Sequence, residues 1–342
     1  MPASEKPHNG RVLYLDGWRG LAIFSVLFGH FGTAFALNFG RAGVELFFVL
    51  SGRLMAELLF TQRVELSQFF PRRFSRVWPT LFIFSGGCLI FSALFTHNVR
   101  PIDFLAAITF TSNYLAAFFS TAPWLEHTWS LCIEEHSYIL LGIIALLTRK
   151  YALDPIKIII GLIIFAVTLG YVQTFIFDMD YRHVYWRSDV RGASILLGAA
   201  AFLVLNAKTP PRMLQAAWTP LFFTVAGFAL QLNVVPDPIK YSFGTTCFAI
   251  AIATLNHARG PFLRALESKP AIFLGLTSYS LYIWQQPFYQ NIGHKIPVAM
   301  AIEQRLIWGA AAATAAMISF YFIETPSRKY LNTLWARLSQ KM

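Results

Sequence analysis

The sequence predicts an all-α, polytopic integral membrane protein of about ten transmembrane helices in a single domain, and three observations predict it. Hydrophobic residues make up 56% of the 342 residues and charged residues 13%, with a mean hydropathy of +0.52, outside the range of soluble domains. Apolar runs recur from one end of the chain to the other. The 28 Lys and Arg fall mainly in every second connection between those runs, as cytoplasmic loops require.

The runs are taken in order. The first, 20 to 38, follows Arg19 and holds His30, and the second, 44 to 60, holds "GVELFFVLSG" and stops before Arg63. The third, 79 to 96, follows the basic "PRRFSRVWP", and the fourth, 130 to 148, ends at Arg149 and Lys150. The fifth is 157 to 177, the sixth 190 to 206, the seventh 218 to 233, the eighth 241 to 256, the ninth 272 to 291 and the tenth 304 to 323. The stretch 104 to 119 is shorter and interrupted by Thr, Ser and Asn, so it is expected to be re-entrant or interfacial. Counting it as a span would invert every later loop. With ten spans and both ends cytoplasmic (a lead at 1–18, a tail at 324–342), nineteen of the 28 basic residues lie inside and eight outside, with Arg53 within a span.

The net charge of +11 is therefore topology; no basic block with interleaved aromatics suggests nucleic acid. The "AFA" at 34 to 36 resembles a signal-peptidase site, but the long lead and the His inside the run argue against cleavage. Cys88, Cys132 and Cys247 lie singly in apolar runs without paired spacing, so neither a disulfide framework nor a metal site is expected.

Charges inside apolar runs are the functional candidates. Arg19 and His30 are eleven residues apart, three helical turns plus ~20°, so they share one face about 16 Å apart along the axis. In "HTWSLCIEEHSY", Ser130, Glu134 and Tyr138 fall at i, i+4 and i+8 on one face, with Glu135 rotated by about 100°. A carboxylate at mid-helix costs roughly 2 to 3 kcal/mol in a bilayer, so two in succession call for a reason. Counted from opposite faces of a core about 30 Å thick, Glu134 and His30 are expected to meet. Arg72, Arg73 and Arg76 form one helical cluster suited to phosphate oxygens. Arg53 has Glu57 one turn on as an ion-pair partner. The segment "DMDYRHVYWRSDVRG" is expected to form a charged aromatic cap near the outer mouth, with Arg187, Asp189 and, at the outer entry of the fourth run, Trp129 as candidates to hold a sugar.

These residues in this order resemble the membrane-bound acyltransferase-3 family over nearly the whole chain. The resemblance rests on Arg19 and His30, "GVELFFVLSG" at 43 to 52, Arg73 and Arg76, and "WSLCIEEHSY" at 129 to 138. It is supported by "RSDVRGASILLGA" at 187 to 199, "SYSLYIWQQP" at 278 to 287 and "FIETP" at 322 to 326. It implies an enzyme of the bacterial inner membrane that moves an acyl group, usually acetyl, from cytoplasmic acyl-CoA to a glycan or glycolipid hydroxyl. Acyl-CoA is then a co-substrate rather than a bound cofactor. Arg19, Arg72, Arg73 and Arg76 would hold its phosphates. His30 would act as base or nucleophile, Glu134 would orient it, and Tyr138 or Ser130 would stabilise the oxyanion. Two positions depart from the family pattern: Arg53 follows the "FFVLSG" glycine, and Gln285 stands where relatives have His. No esterase-like domain is expected after the last run. The alternative is a proton-coupled carrier using the same buried His and Glu, although the two similar halves such carriers often show are not visible.

Overall fold

The computed structural model describes residues 12–32, 36–207, 210–293 and 301–339. Lys6, Arg11, Lys208, Lys295 and Lys341, counted above in loops, lie outside these residues, as do Ala34 and Phe35 of the "AFA" stretch. Among the described residues the elements are helical, apart from one isolated antiparallel bridge between Leu37 and Leu232. The helices are α1 (Leu13–Phe31), α2 (Phe39–Ala56), α3 (Leu66–Phe95), α4 (Pro101–Ile108), α5 (Ser112–Phe118), α6 (Trp129–Tyr151), α7 (Pro155–Tyr171) and α8 (Tyr181–Tyr185). They continue with α9 (Ser188–Ala207), α10 (Thr219–Ala229), α11 (Asp237–Ile239), α12 (Thr245–Ala253), α13 (Pro261–Leu266), α14 (Lys269–Gly293), α15 (Ala301–Ser319) and α16 (Thr325–Ser339).

Each of the ten expected runs overlaps a helix. Among the described residues, five helical runs are long and apolar enough to cross a membrane: Leu66–Phe95, Glu126–Tyr151, Pro155–Ile176, Ser188–Ala207 and Ile302–Leu338. The helices that fall short do so for a physical reason. α2 carries Arg41, Glu45 and Arg53, and α14 carries Thr277, Ser278, Ser280, Gln285 and Gln286 within its buried faces. α10 has 11 residues, about 16 Å of helix. The 104 to 119 stretch breaks at Phe110, whose φ is 56°, into α4 and α5, each too short to cross.

Boundaries moved at the first run and, by more, at the third, where α3 begins thirteen residues before the expected 79. α1 begins at Leu13, seven residues before the expected start, because Asp16 and Arg19 pair inside the helix at 2.9 Å and are tolerated there. His30 consequently sits in the last turn of α1, not at its middle. α3 likewise takes in the arginine cluster and two prolines, Pro71 and Pro79.

α1 packs between α2 and α14, and α2 lies along α9, which also meets α6, α7 and α12. Glycines allow close approaches of backbones: a Cβ at Gly275 would strike the Asp16 backbone of α1, and one at Gly52 would strike the Ile195 backbone of α9. Large apolar side chains such as Ile90, Leu94, Ile164, Phe165, Ile307 and Phe322 are exposed, as suits a lipid-facing perimeter. Buried polar side chains such as Glu45, Ser130, Arg191 and Gln285 lie inside this perimeter.

Candidate functional site

Among the described residues, two cavities hold the sequence-predicted site residues Arg19, His30, Arg73, Arg76, Trp129, Ser130, Glu134 and Tyr138. The first holds about 70 Å³ and is lined by Arg19, Arg73 and Arg76 together with Ser51, Ser130, Glu134 and Tyr138. Arg19 arrives from α1 and is paired with Asp16. Arg73 and Arg76 arrive from α3, the Arg73 guanidinium lying 5.1 Å from the Tyr138 ring centre. Arg76 makes no hydrogen bond or ion pair at salt-bridge distance among the described residues. Glu134 accepts hydrogen bonds from Ser51 at 3.2 Å and from Tyr138 at 2.9 Å. Three guanidiniums facing one carboxylate leave this cavity cationic, suited to an anionic group.

The second cavity is larger, about 460 Å³, within the range of small-molecule sites. Its lining includes His30, Arg41, Glu126, His127, Trp129, Tyr181, Tyr185, Gln286 and Tyr289. The His30 ring stacks on Tyr289 with centres 4.2 Å apart, and its Nδ1 lies 2.6 Å from Gln285 Oε1. A Cβ at Gly40 would come within 3.3 Å of His30 Nε2, so the glycine leaves that nitrogen uncrowded.

Val44 and Tyr282 line both cavities and form the partition between them. The Tyr282 hydroxyl donates to the His127 carbonyl at 2.9 Å. Its single proton thus committed, it accepts from Ser130 at 2.6 Å.

Several expected placements are corrected. Glu134 is not the partner of His30; that place is taken by Gln285. α6 starts beside the second cavity at Trp129, and Glu134, five residues on, is about 7 Å further along the axis, beyond the partition. Ser130 and Tyr138 stand with Glu134 in the arginine cavity, away from His30. Glu135, rotated off that face, is outside either lining but within electrostatic reach of Arg73. Arg72 is exposed and outside the cavity, because the arc facing the cavity holds Arg73 and Arg76 while Arg72 falls at its edge. Arg187 and Asp189 pair with each other and line neither of the two cavities. From the same cap, Tyr181, Tyr185 and Trp186 do line the second cavity, as does Trp129. Arg53 pairs with Glu57 at 3.2 Å, as its spacing predicts.

Several residues of the site escaped sequence reasoning, among them Tyr282, Tyr289, Gln285 and His127. Gln285 was visible only as a departure from the family's His. His127 is 5% exposed, and among the described residues neither ring nitrogen has a hydrogen-bond partner of good geometry, although the Ile283 carbonyl faces the ring. Its one sequence signal was its place at the head of "HTWSLCIEEHSY".

Comparison with known proteins gives this arrangement a context. The chain is 32% identical to the peptidoglycan O-acetyltransferase OatA of Listeria monocytogenes, the match covering 92% of the chain and 55% of that protein. It is 31% identical to the O-acetyltransferase OatA of Staphylococcus aureus, over 95% of the chain and 58% of the relative. With the putative peptidoglycan O-acetyltransferase YrhL of Bacillus subtilis the identity is 26%, over 94% and 55%. The chain thus spans somewhat more than half the length of these relatives. No solved structure matches. Residues 12–324 match the family model described as an acyltransferase domain, acyltransferase 3. That match covers most of the chain, which therefore belongs to the acyltransferase-3 family.

Proposed function

We propose that this protein transfers an acyl group, acetyl being the first candidate, from cytoplasmic acyl-CoA across the membrane to a hydroxyl of a cell-envelope glycan. The observation that carries this reading is the meeting of a cationic cavity and a histidine cavity at Val44 and Tyr282 in a chain of this family. Arg19, Arg73 and Arg76 hold the anionic part of the donor. The narrow arginine cavity accepts only a slender segment of it and brings the thioester toward the partition. The acceptor sugar enters the larger cavity against Trp129, Tyr181 and Tyr185, where a hydroxyl also gives the buried His127 ring a hydrogen-bond partner. His30 takes the proton from the acceptor hydroxyl; the oxygen bonds to the acyl carbon, the carbon–sulfur bond breaks, and CoA leaves as the thiolate and is protonated. The peptidoglycan named for the relatives makes a peptidoglycan sugar the acceptor of choice.

The topology belongs to the same proposal: ten spans with both ends cytoplasmic place the arginine cavity toward the inner surface and the histidine cavity toward the outer one. Nineteen basic residues against eight in the corresponding loops support it. The test is membrane vesicles given radiolabelled acetyl-CoA and a peptidoglycan-derived acceptor. Label is expected in the glycan with the parent protein and is lost with His30→Ala at unchanged protein level. Acetylation by His30→Ala at a tenth of the parental rate or more would overturn the role of His30, and label crossing the membrane without CoA release would make the protein a carrier.

A further inference from the structure

His30 is joined to a chain of side-chain amides. Its Nδ1 lies 2.6 Å from Gln285 Oε1, the Gln285 amide nitrogen donates to Gln286 Oε1 at 3.3 Å, and the Gln286 amide nitrogen donates to the Pro123 carbonyl at 3.2 Å. Gln285 is fully buried and Gln286 is 4% exposed, so bulk water does not compete for these bonds.

The polarity of the chain follows from its far end. A backbone carbonyl accepts and never donates, so the Gln286 atom facing Pro123 must be the amide nitrogen. That leaves Gln286 Oε1 facing Gln285, which must then present its own nitrogen there and its oxygen to His30. An oxygen at 2.6 Å from Nδ1 requires the proton on Nδ1. Nε2 is left as the bare, basic nitrogen, beside Gly40.

We propose that Gln285 and Gln286 are positioning residues that hold His30 in the Nδ1–H tautomer, with Nε2 as the base facing the second cavity. The catalytic consequence rests on the proposed acyl transfer; the tautomer does not. The stack of Tyr289 on the ring holds its plane while the amide chain sets its protonation pattern. Because the partner is a neutral amide, it orients the ring without adding a negative charge beside the imidazolium that forms in the reaction. The other charged or titratable groups lining the cavity are Arg41, Glu126, His127, Tyr181, Tyr185, Tyr282 and Tyr289, with the Arg305 guanidinium on the Gly32 carbonyl one residue past the end of α1.

The experiment is nitrogen-15 NMR of histidine-labelled full-length protein in nanodiscs, with kinetics in parallel. In the parent, His30 is expected to show a protonated Nδ1 and a bare Nε2. In Gln285→Leu the preference is lost and kcat falls about 10- to 100-fold, by analogy with the loss on removing the partner that orients a metal-bound imidazole, while KM for acyl-CoA is unchanged. Gln286→Leu, which frees the Gln285 amide to turn over, weakens the preference in the same direction. Gln285→Glu restores an acceptor at Nδ1 and regains activity, with the acid limb of its pH–rate profile moved to higher pH because the carboxylate favours the protonated ring. A proton on Nε2 in the parent, or an unchanged tautomer in Gln285→Leu, overturns the proposal. If the tautomers behave as expected but the parent transfers no acyl group, the amide chain stands and the acyltransferase reading falls.

Discussion

Arg76 turns its guanidinium into the arginine cavity from α3, with no carboxylate at salt-bridge distance among the described residues, whereas Arg72, one turn earlier, is exposed. If Arg76 holds a donor phosphate, a charge-assisted contact of roughly 1.5 to 3 kcal/mol is at stake, so Arg76→Ala should raise KM for acyl-CoA about 10- to 150-fold. Lys at that position should rescue in part, keeping the charge but losing the fork. Arg72→Ala is the control and should leave KM unchanged; steady-state kinetics in nanodiscs reads both. Equal effects of the two would mean that only the summed charge of the loop matters. Residues of this kind were legible in the sequence because a formal charge in an apolar run at helical spacing is conspicuous. Gln285 and His127 were not. An amide in a membrane helix reads as interhelical glue, and its pairing with a residue 255 positions away has no local signature.

At the scale of elements, α2, α9 and α12 are tied by a buried ion pair that neither cavity uses. Glu45 and Arg191 pair, Thr245 donates to Glu45 at 2.6 Å, and Arg191 donates to Ser194 at 3.1 Å and lies over the Tyr185 and Tyr241 rings. The side chains are 2% and 0% exposed, so removing one partner strands a charge in a dry interior. Glu45→Gln or Arg191→Met alone should cost about 3 to 5 kcal/mol, and Glu45→Met with Arg191→Met should recover most of it. Thermal unfolding of the detergent-solubilised protein checks this; additive losses in the double variant would show that the two residues act separately. The existence of the helices was legible from apolar runs. Their ends were less so. Apolar content marks where lipid begins, and α1 starts two turns earlier, in a polar stretch that its neighbours bury: Asp16 is 6% exposed and Trp18 fully covered.

For the whole molecule, what matters is that two cavities of opposite character share one wall. A transfer that begins with an acyl thioester on one side and ends with a sugar hydroxyl on the other must keep water from the thioester until the acceptor is in place. Tyr282 is placed to do this, since its ring belongs to both linings and its hydroxyl is pinned to the His127 carbonyl and Ser130. Phe47 and His127 flank the ring with centres 6.3 and 5.4 Å away. Tyr282→Phe keeps the wall and loses only the hydroxyl's two hydrogen bonds, so it should acylate glycan with CoA release and product formation still in step. On the proposed acyl transfer, Tyr282→Ala removes the wall, joins the histidine cavity to the arginine cavity, and should release CoA several-fold faster than glycan is acylated, the excess being hydrolysis. Measuring both products in the same reaction separates this from a loss of folding, which would lower the two together. A Tyr282→Ala protein that stays coupled would mean that Val44 and the bound substrates close the passage without the tyrosine.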